Sequence, residues 1–163
     1  MHFSRLFVTL QQSHTDMKEK ELTYQEVPMR FPLCFNHECA RNACCMHYQA
    51  GLLLPDDCHH GPAIYPTAWR NGECKYFREK RLVLKAWGFT HLYDNLPRKD
   101  KSAARQRVMS YISSGCGPYY RYHHGERLLS PELQEAIMKI LATFGSTDGL
   151  RFDHYVEDWD FGL

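Results

Sequence analysis

Cys34, Cys39 and Cys45 are separated by four and five intervening residues, and Cys74 follows beside Gly72 at a predicted turn. Four thiolates satisfy the tetrahedral preference of zinc, and a set in which three are local and one is distant ties two chain segments together. The chain holds seven cysteines, six of them between Cys34 and Cys74. An odd number cannot all pair as disulfides within one chain, so in a reducing compartment the cluster reads as metal-binding or as buried thiols. The expected cofactor is structural zinc held by Cys34, Cys39, Cys45 and Cys74. An iron-sulfur cluster accepts the same four thiolates, and ordinary reduced core cysteines are the third reading. Cys44 and Cys45 are adjacent, and one ion rarely takes both. Cys45 is expected to ligate and Cys44 to be a small buried residue. His37, Cys58, His59 and His60 are nearby substitutes, each of which reads more simply as a polar loop residue.

A second concentration of chemistry lies in the middle of the chain. Residues 1–67 carry five Lys/Arg against seven Asp/Glu, residues 68–127 thirteen against five, and residues 128–163 two against seven. The whole chain is nearly neutral at +1, so the basic middle is flanked by acidic ends. Such segregation suits an anionic partner or attraction between the chain's own parts. Arg98, Lys99, Lys101, Arg105, Arg107, Tyr120, Arg121, Tyr122 and Arg127 form a candidate polyanion-binding surface, since aromatics beside cations can stack on bases while the cations meet phosphates. The simpler reading is that the tyrosines pack a small sheet and Arg127 pairs with Asp153, Glu157, Asp158 or Asp160. His123, His124 and Glu126 could do acid–base work in a metal-dependent hydrolase, and Cys58 beside His59 could be an activated nucleophile. Neither group follows a recognised catalytic motif: there is no HExxH, no phosphate-binding loop and no nucleophile elbow.

Several of these residues recur as a pattern. The run Cys34-Phe-Asn-His-Glu-Cys39, then Cys45, Cys74 and Gly88-Phe89, are followed by Tyr119-Tyr120-Arg121-Tyr122, Gly125-Glu126-Arg127, Ser130-Pro131-Glu132 with Gln134, Phe152-Asp153 and Tyr155. Together they resemble an uncharacterised bacterial family of domains of unknown function, over roughly residues 30–161. The resemblance implies Cys34, Cys39, Cys45 and Cys74 as the site, in preference to Cys44, Cys58 and Cys116. It implies no activity.

The elements that must position these residues follow from local pattern. Asn42 to Gly51 reads as a short helix with Asn42 as N-cap and Gly51 as its stop. On one continuous helix positions 39 and 45 would lie about 120° apart, at roughly 100° per residue. Cys39 is therefore expected outside the helix and Cys45 in its first turn, facing the positive end of the dipole. Pro55, Asp56, Asp57, Gly61, Pro62 and Pro66 predict a long loop carrying Cys58, His59 and His60. Arg81 to Phe89 fits a short strand or a buried helix turn, with strand preferred, and Lys101 to Ser113 reads as a helix with Ala104, Val108 and Ile112 at helical spacing. Tyr119 to Leu129 reads as a hairpin turning at His124-Gly125, with Tyr120 and Tyr122 on one face. Ser130 caps a helix from Pro131 to Phe144, with Leu133, Ile137, Ile140, Leu141 and Phe144 as its stripe and Gly145 as its end.

With 163 residues, 44% hydrophobic and 13% aromatic, the chain can fill a core of its own. The expectation is an α+β domain with short strands and three or four helices: a polar lead-in over 1–30 and a single domain over 31–163, its 31–78 part cysteine-rich and metal-binding, its 79–163 part aromatic, basic and helical. The apolar stretch Leu6 to Leu10 is too short for a signal peptide, and no run approaches the roughly 20 apolar residues that cross a bilayer. A cytoplasmic, non-catalytic binding module is the functional expectation, its partner unassigned, with nucleic acid or an acidic protein as the candidates.

Overall fold

The computed structural model describes residues 20–112 and 116–162. Its elements run β1 (Leu33–Cys34), α1 (Met46–Gly51), β2 (Ala63–Ile64), β3 (Trp69–Arg70), β4 (Glu73–Cys74), β5 (Leu82–Trp87), α2 (Lys101–Ile112), α3 (Cys116–His123), α4 (Pro131–Ala142) and β6 (His154–Trp159). Four α-helices and short strands give the expected α+β class. Among the described residues no helix is long and apolar enough to cross a membrane.

The longest strands, β5 and β6, pair antiparallel from Leu82↔Trp159 to Trp87↔His154. On the other edge of β5, Ala86 and Leu129 exchange both backbone hydrogen bonds, at 3.1 and 2.7 Å. The Gln134 side-chain amide donates to the carbonyls of Leu84 and Leu129 at 2.9 and 3.0 Å, so α4 is stitched to the strand it covers. In α4 the Ser130 hydroxyl accepts from the Leu133 N–H, Pro131 occupies the first turn, and Ile137 and Leu141 are fully buried. These join Phe89, Leu92, Val108, Leu129 and Tyr119 in the larger core. A second core gathers Leu22, Phe31, Leu33, Met46 and Ala50 around Trp159 and Phe161. The end of β6 thus fastens the cysteine-bearing half to the helical half. Leu22 lies within the expected lead-in and is buried, and Lys20 donates to Asp158 at 3.2 Å.

Two local expectations are corrected. Residues 42–51 do not form one helix: a 3-10 turn spans Asn42–Cys44, Cys45 is extended at φ −94°, ψ 119°, and only Met46–Gly51 is α-helical. Cys45 is the N-cap, and Gly51 lies inside the helix. The expected hairpin is instead α3 followed by a turn at Gly125 (φ 77°). Tyr119 and Tyr122 stand at i, i+3 and so share one helical face. That face packs inward, with Tyr119 buried and Tyr122 against the core, so a strand pairing would have exposed half of an apolar set.

The acidic end finds partners other than Arg127. Asp160 is buried and takes Arg78 at 3.2 Å and Arg81 at 3.0 Å. Asp158 takes Lys85 at 2.8 Å as well as Lys20. Burial pushes the Asp158 carboxyl up, but the Lys85 hydrogen bond and charge, with help from Lys20, hold it below its ordinary value of 3.8. A depressed folded-state pKa contributes stability above the unfolded value that is lost as pH falls through the folded one. The urea midpoint of the wild type is therefore expected to drop as pH falls below about 3.8. Asp158→Asn should lower stability at neutral pH by no more than about 1 kcal/mol and flatten that acid limb. An unchanged limb in the variant would assign the acid response to other carboxylates.

Candidate metal centre

Four short segments bring the predicted cysteines to one place. Cys34 ends β1, which pairs parallel with β2. Cys39 sits in a loop closed by its own N–H to the Asn36 carbonyl at 3.3 Å and by the Asn42 N–H to the Cys39 carbonyl at 3.1 Å. The Asn42 side chain donates to the His37 carbonyl at 2.9 Å. Cys45 makes an isolated bridge with Glu79: Met46 N–H donates to the Arg78 carbonyl at 2.7 Å and Lys80 N–H to the Cys44 carbonyl at 2.8 Å. Cys74 ends the β3–β4 hairpin, whose two turn residues, Asn71 and Gly72, both have positive φ (53° and 81°). Positive φ at both central positions is what a tight two-residue hairpin needs to match strand twist.

Cys34, Cys39, Cys45 and Cys74 all line one cavity of about 30 Å³, together with His47 and Trp69. Cys45 is buried and the other three are half-buried. The Cys34 thiol is pushed above its ordinary value, first by burial and further by the negative charge that Cys45, Cys74 and Cys39 would carry, against a backbone hydrogen bond from Asn36. A bound cation would reverse the sign of that charge penalty at Cys34. Among the described residues no group of three or more His, Cys, Asp or Glu side chains is arranged to hold an ion. The cysteines share a cavity without being converged on a point.

His47 was not signalled by the sequence reading. It is buried, stacks on Phe31 at 4.3 Å with the rings nearly parallel, and sits 2.6 Å through Nδ1 from the Pro32 carbonyl. A carbonyl can only accept, so Nδ1 carries the proton and Nε2 the lone pair. Burial lowers its pKa, opposed by the Pro32 bond and reinforced by Arg78. Its place two residues after Cys45, on the first turn of α1, was the available clue.

The remaining candidates are dispersed. Cys44, expected to be buried, is exposed, and its thiol donates to the Arg41 carbonyl at 3.5 Å. Cys45 takes the interior position because its extended backbone points the chain into the Glu79 bridge. His37 is exposed. Cys58, with His59 and His60, lines a different groove, where its sulfur lies 3.9 Å from the Tyr24 hydroxyl. Arg98, Lys99, Arg105, Arg107, Tyr120, Arg121 and Arg127 are exposed and Lys101 and Tyr122 half-buried. The Arg105 guanidinium lies 5.5 Å from the Tyr93 ring centroid, beside the Tyr93–Tyr119 hydroxyl pair at 3.2 Å. His123 Nδ1 accepts the Phe89 N–H at 3.1 Å, which commits that nitrogen to holding the backbone. His124 and Glu126 are exposed.

Residues 17–161 match a model described as a family of unknown function, DUF6078. No curated protein matches, and no solved structure does.

Proposed function

We propose that this chain, which belongs to the DUF6078 family, is a non-catalytic binding module whose cysteine-bearing half is stapled by a structural zinc ion. The observation that carries the reading is that thiols from four separate segments line one small cavity. Two of these segments are two-residue strands and one is an irregular loop. Elements this short bury little and do not hold together on backbone pairing alone, which is the situation in which a metal supplies folding free energy. The reading requires the four side chains to close onto the ion through rotamer changes and small loop shifts. Cys34, Cys39, Cys45 and Cys74 would be the ligands. His47, held by Pro32, would shape the wall and orient the loop that carries Cys34, a supporting role typical of groups next to metal ligands.

The test is elemental analysis with an absorption spectrum on anaerobically purified wild type and Cys39→Ser. One equivalent of zinc in the wild type, lost in the variant, is the expected result. Iron with a broad visible absorption would replace zinc by an iron-sulfur cluster. Absence of metal from both samples would make the four residues ordinary core thiols.

A further inference from the structure

The β3–β4 hairpin that carries Cys74 also borders a groove that adjoins the cysteine cavity. This open groove of about 880 Å³ is lined by Tyr65, Tyr76, Arg70, Lys75, Glu73 and Cys74, among others. Tyr65 is 75% and Tyr76 45% exposed, so both rings leave a face open to a partner. The Lys75 ammonium lies 4.9 Å from the centroid of the Tyr76 ring. Arg70 Nε donates to the Thr67 carbonyl at 3.4 Å, which fixes the guanidinium at the groove rim.

We infer that this groove binds single-stranded nucleic acid, with Tyr65 and Tyr76 as stacking platforms for bases and Arg70 and Lys75 as phosphate contacts. Exposed ring faces interleaved with cations are what sequence-tolerant single-strand binders use, because every base has a π-face and every nucleotide a phosphate. A duplex keeps its bases stacked on each other, so it offers these rings nothing. A proline-rich peptide would use the tyrosines but not the two cations, and among the charged residues lining the groove cations outnumber the one acid, Glu73. The inference names a partner for the module proposed above. It rests on that reading in that Tyr65, Tyr76 and Cys74 lie in the wall of both the groove and the metal cavity.

The test is fluorescence anisotropy with a labelled oligo-dT and an oligo-U of about 12 nucleotides, on metal-replete protein at several salt concentrations. Tyr65→Ala and Tyr76→Ala are each expected to weaken binding roughly 5- to 150-fold, the range of a single base–aromatic stack. Tyr76→Phe, which keeps the ring, should bind like the wild type. Arg70→Gln should reduce the steepness of the salt dependence by about one phosphate contact. Circular dichroism and zinc content are measured for all four variants, because Tyr65 and Tyr76 also line the cysteine cavity. Arg70 lines the groove but not that cavity, so Arg70→Gln tests the groove even where an alanine variant loses zinc. The inference is overturned if the wild type binds neither oligonucleotide, or if it binds a proline-rich peptide in this groove instead. It is equally overturned if the tyrosine variants bind normally while Arg105→Glu does not, which would move binding to α2. Oligonucleotide binding through the tyrosines in a protein without zinc would sink the metal reading and leave this one standing. Zinc without oligonucleotide binding would do the reverse.

Discussion

Cys45→Ser is expected to lose the metal and to melt at markedly lower temperature, whereas its neighbour Cys44→Ser should do neither. The two side chains differ by one position and in everything that matters to a metal. Cys45 is the extended N-cap of α1, buried, and in the wall of the cysteine cavity. Cys44 is exposed and spends its thiol on the Arg41 carbonyl. A serine hydroxyl at 45 does not supply the thiolate that zinc requires at neutral pH. Zinc present at about 100 to 1,000 times its dissociation constant stabilises the folded state by about 2.7–4.1 kcal/mol. For a chain of this size each kcal/mol moves the midpoint by about 2–4 °C, so a fall of roughly 5–15 °C is expected for Cys45→Ser. The decisive comparison is thermal unfolding of the wild type and both variants, with and without a strong chelator. The wild type and Cys44→Ser should drop on chelation to the level of Cys45→Ser, which should itself be indifferent to the chelator. If the wild type ignores the chelator, burial alone holds Cys45 and the staple does not exist.

The contrast between these two cysteines also shows where sequence reasoning reaches and where it stops. The rule that one ion rarely takes adjacent ligands excludes using both Cys44 and Cys45, the family resemblance favours Cys45, and Cys45 lines the cavity with the other three. The route to it was different from the one expected: Cys45 is not on the first turn of a continuous helix but at a break between a 3-10 turn and a short α-helix. The break is set by the bridge to Glu79, a contact 34 positions away that no local pattern encodes. Elements whose determinants are local came through. In α4 the Ser130 cap, Pro131 and the apolar stripe all lie within one window, α2 likewise follows its spacing, and β5 falls within the stretch read as strand. In α3 the hairpin expectation takes the aromatics with period 2, whereas Tyr119 and Tyr122 obey period 3.6, and Pro118 falls in the first helical turn where proline is tolerated. That error also decided which aromatics are available to a partner. With Tyr119 and Tyr122 turned inward, the rings left on the surface near cations include Tyr65, in the proline-marked loop, and Tyr76, just after Cys74.

Gly51→Ala is expected to destabilise the protein, against the sign that helix propensity gives. Gly51 lies in α1 with a helical conformation, and in an exposed helix interior the same substitution gains about 0.8–1 kcal/mol. Here a Cβ would stand 2.5 Å from the Cys34 carbonyl oxygen and 3.4 Å from its carbon. Neither side of that contact can yield easily. The Cys34 backbone belongs to β1, registered against β2 and tied by the Leu33 N–H to the Pro62 carbonyl at 3.0 Å. On the other side α1 is pinned by fully buried Met46 and Ala50 and by the Met46 N–H to Arg78. Overpacking of this kind typically costs about 1–3 kcal/mol, which exceeds the propensity gain over most of that range. Gly61→Ala serves as the comparison, since a Cβ there meets nothing within 4 Å, and it should be neutral or slightly stabilising. Urea midpoints of the two variants against the wild type check the sign, and a stabilised Gly51→Ala would mean that β1 and α1 are not held as closely as described. Because the displaced backbone is that of Cys34, Gly51→Ala should also weaken zinc in competition with a chromophoric chelator although it removes no ligand. The glycine is thus a point of close approach between helix α1 and strand β1, and the distance between them sets where two of the four thiols can stand.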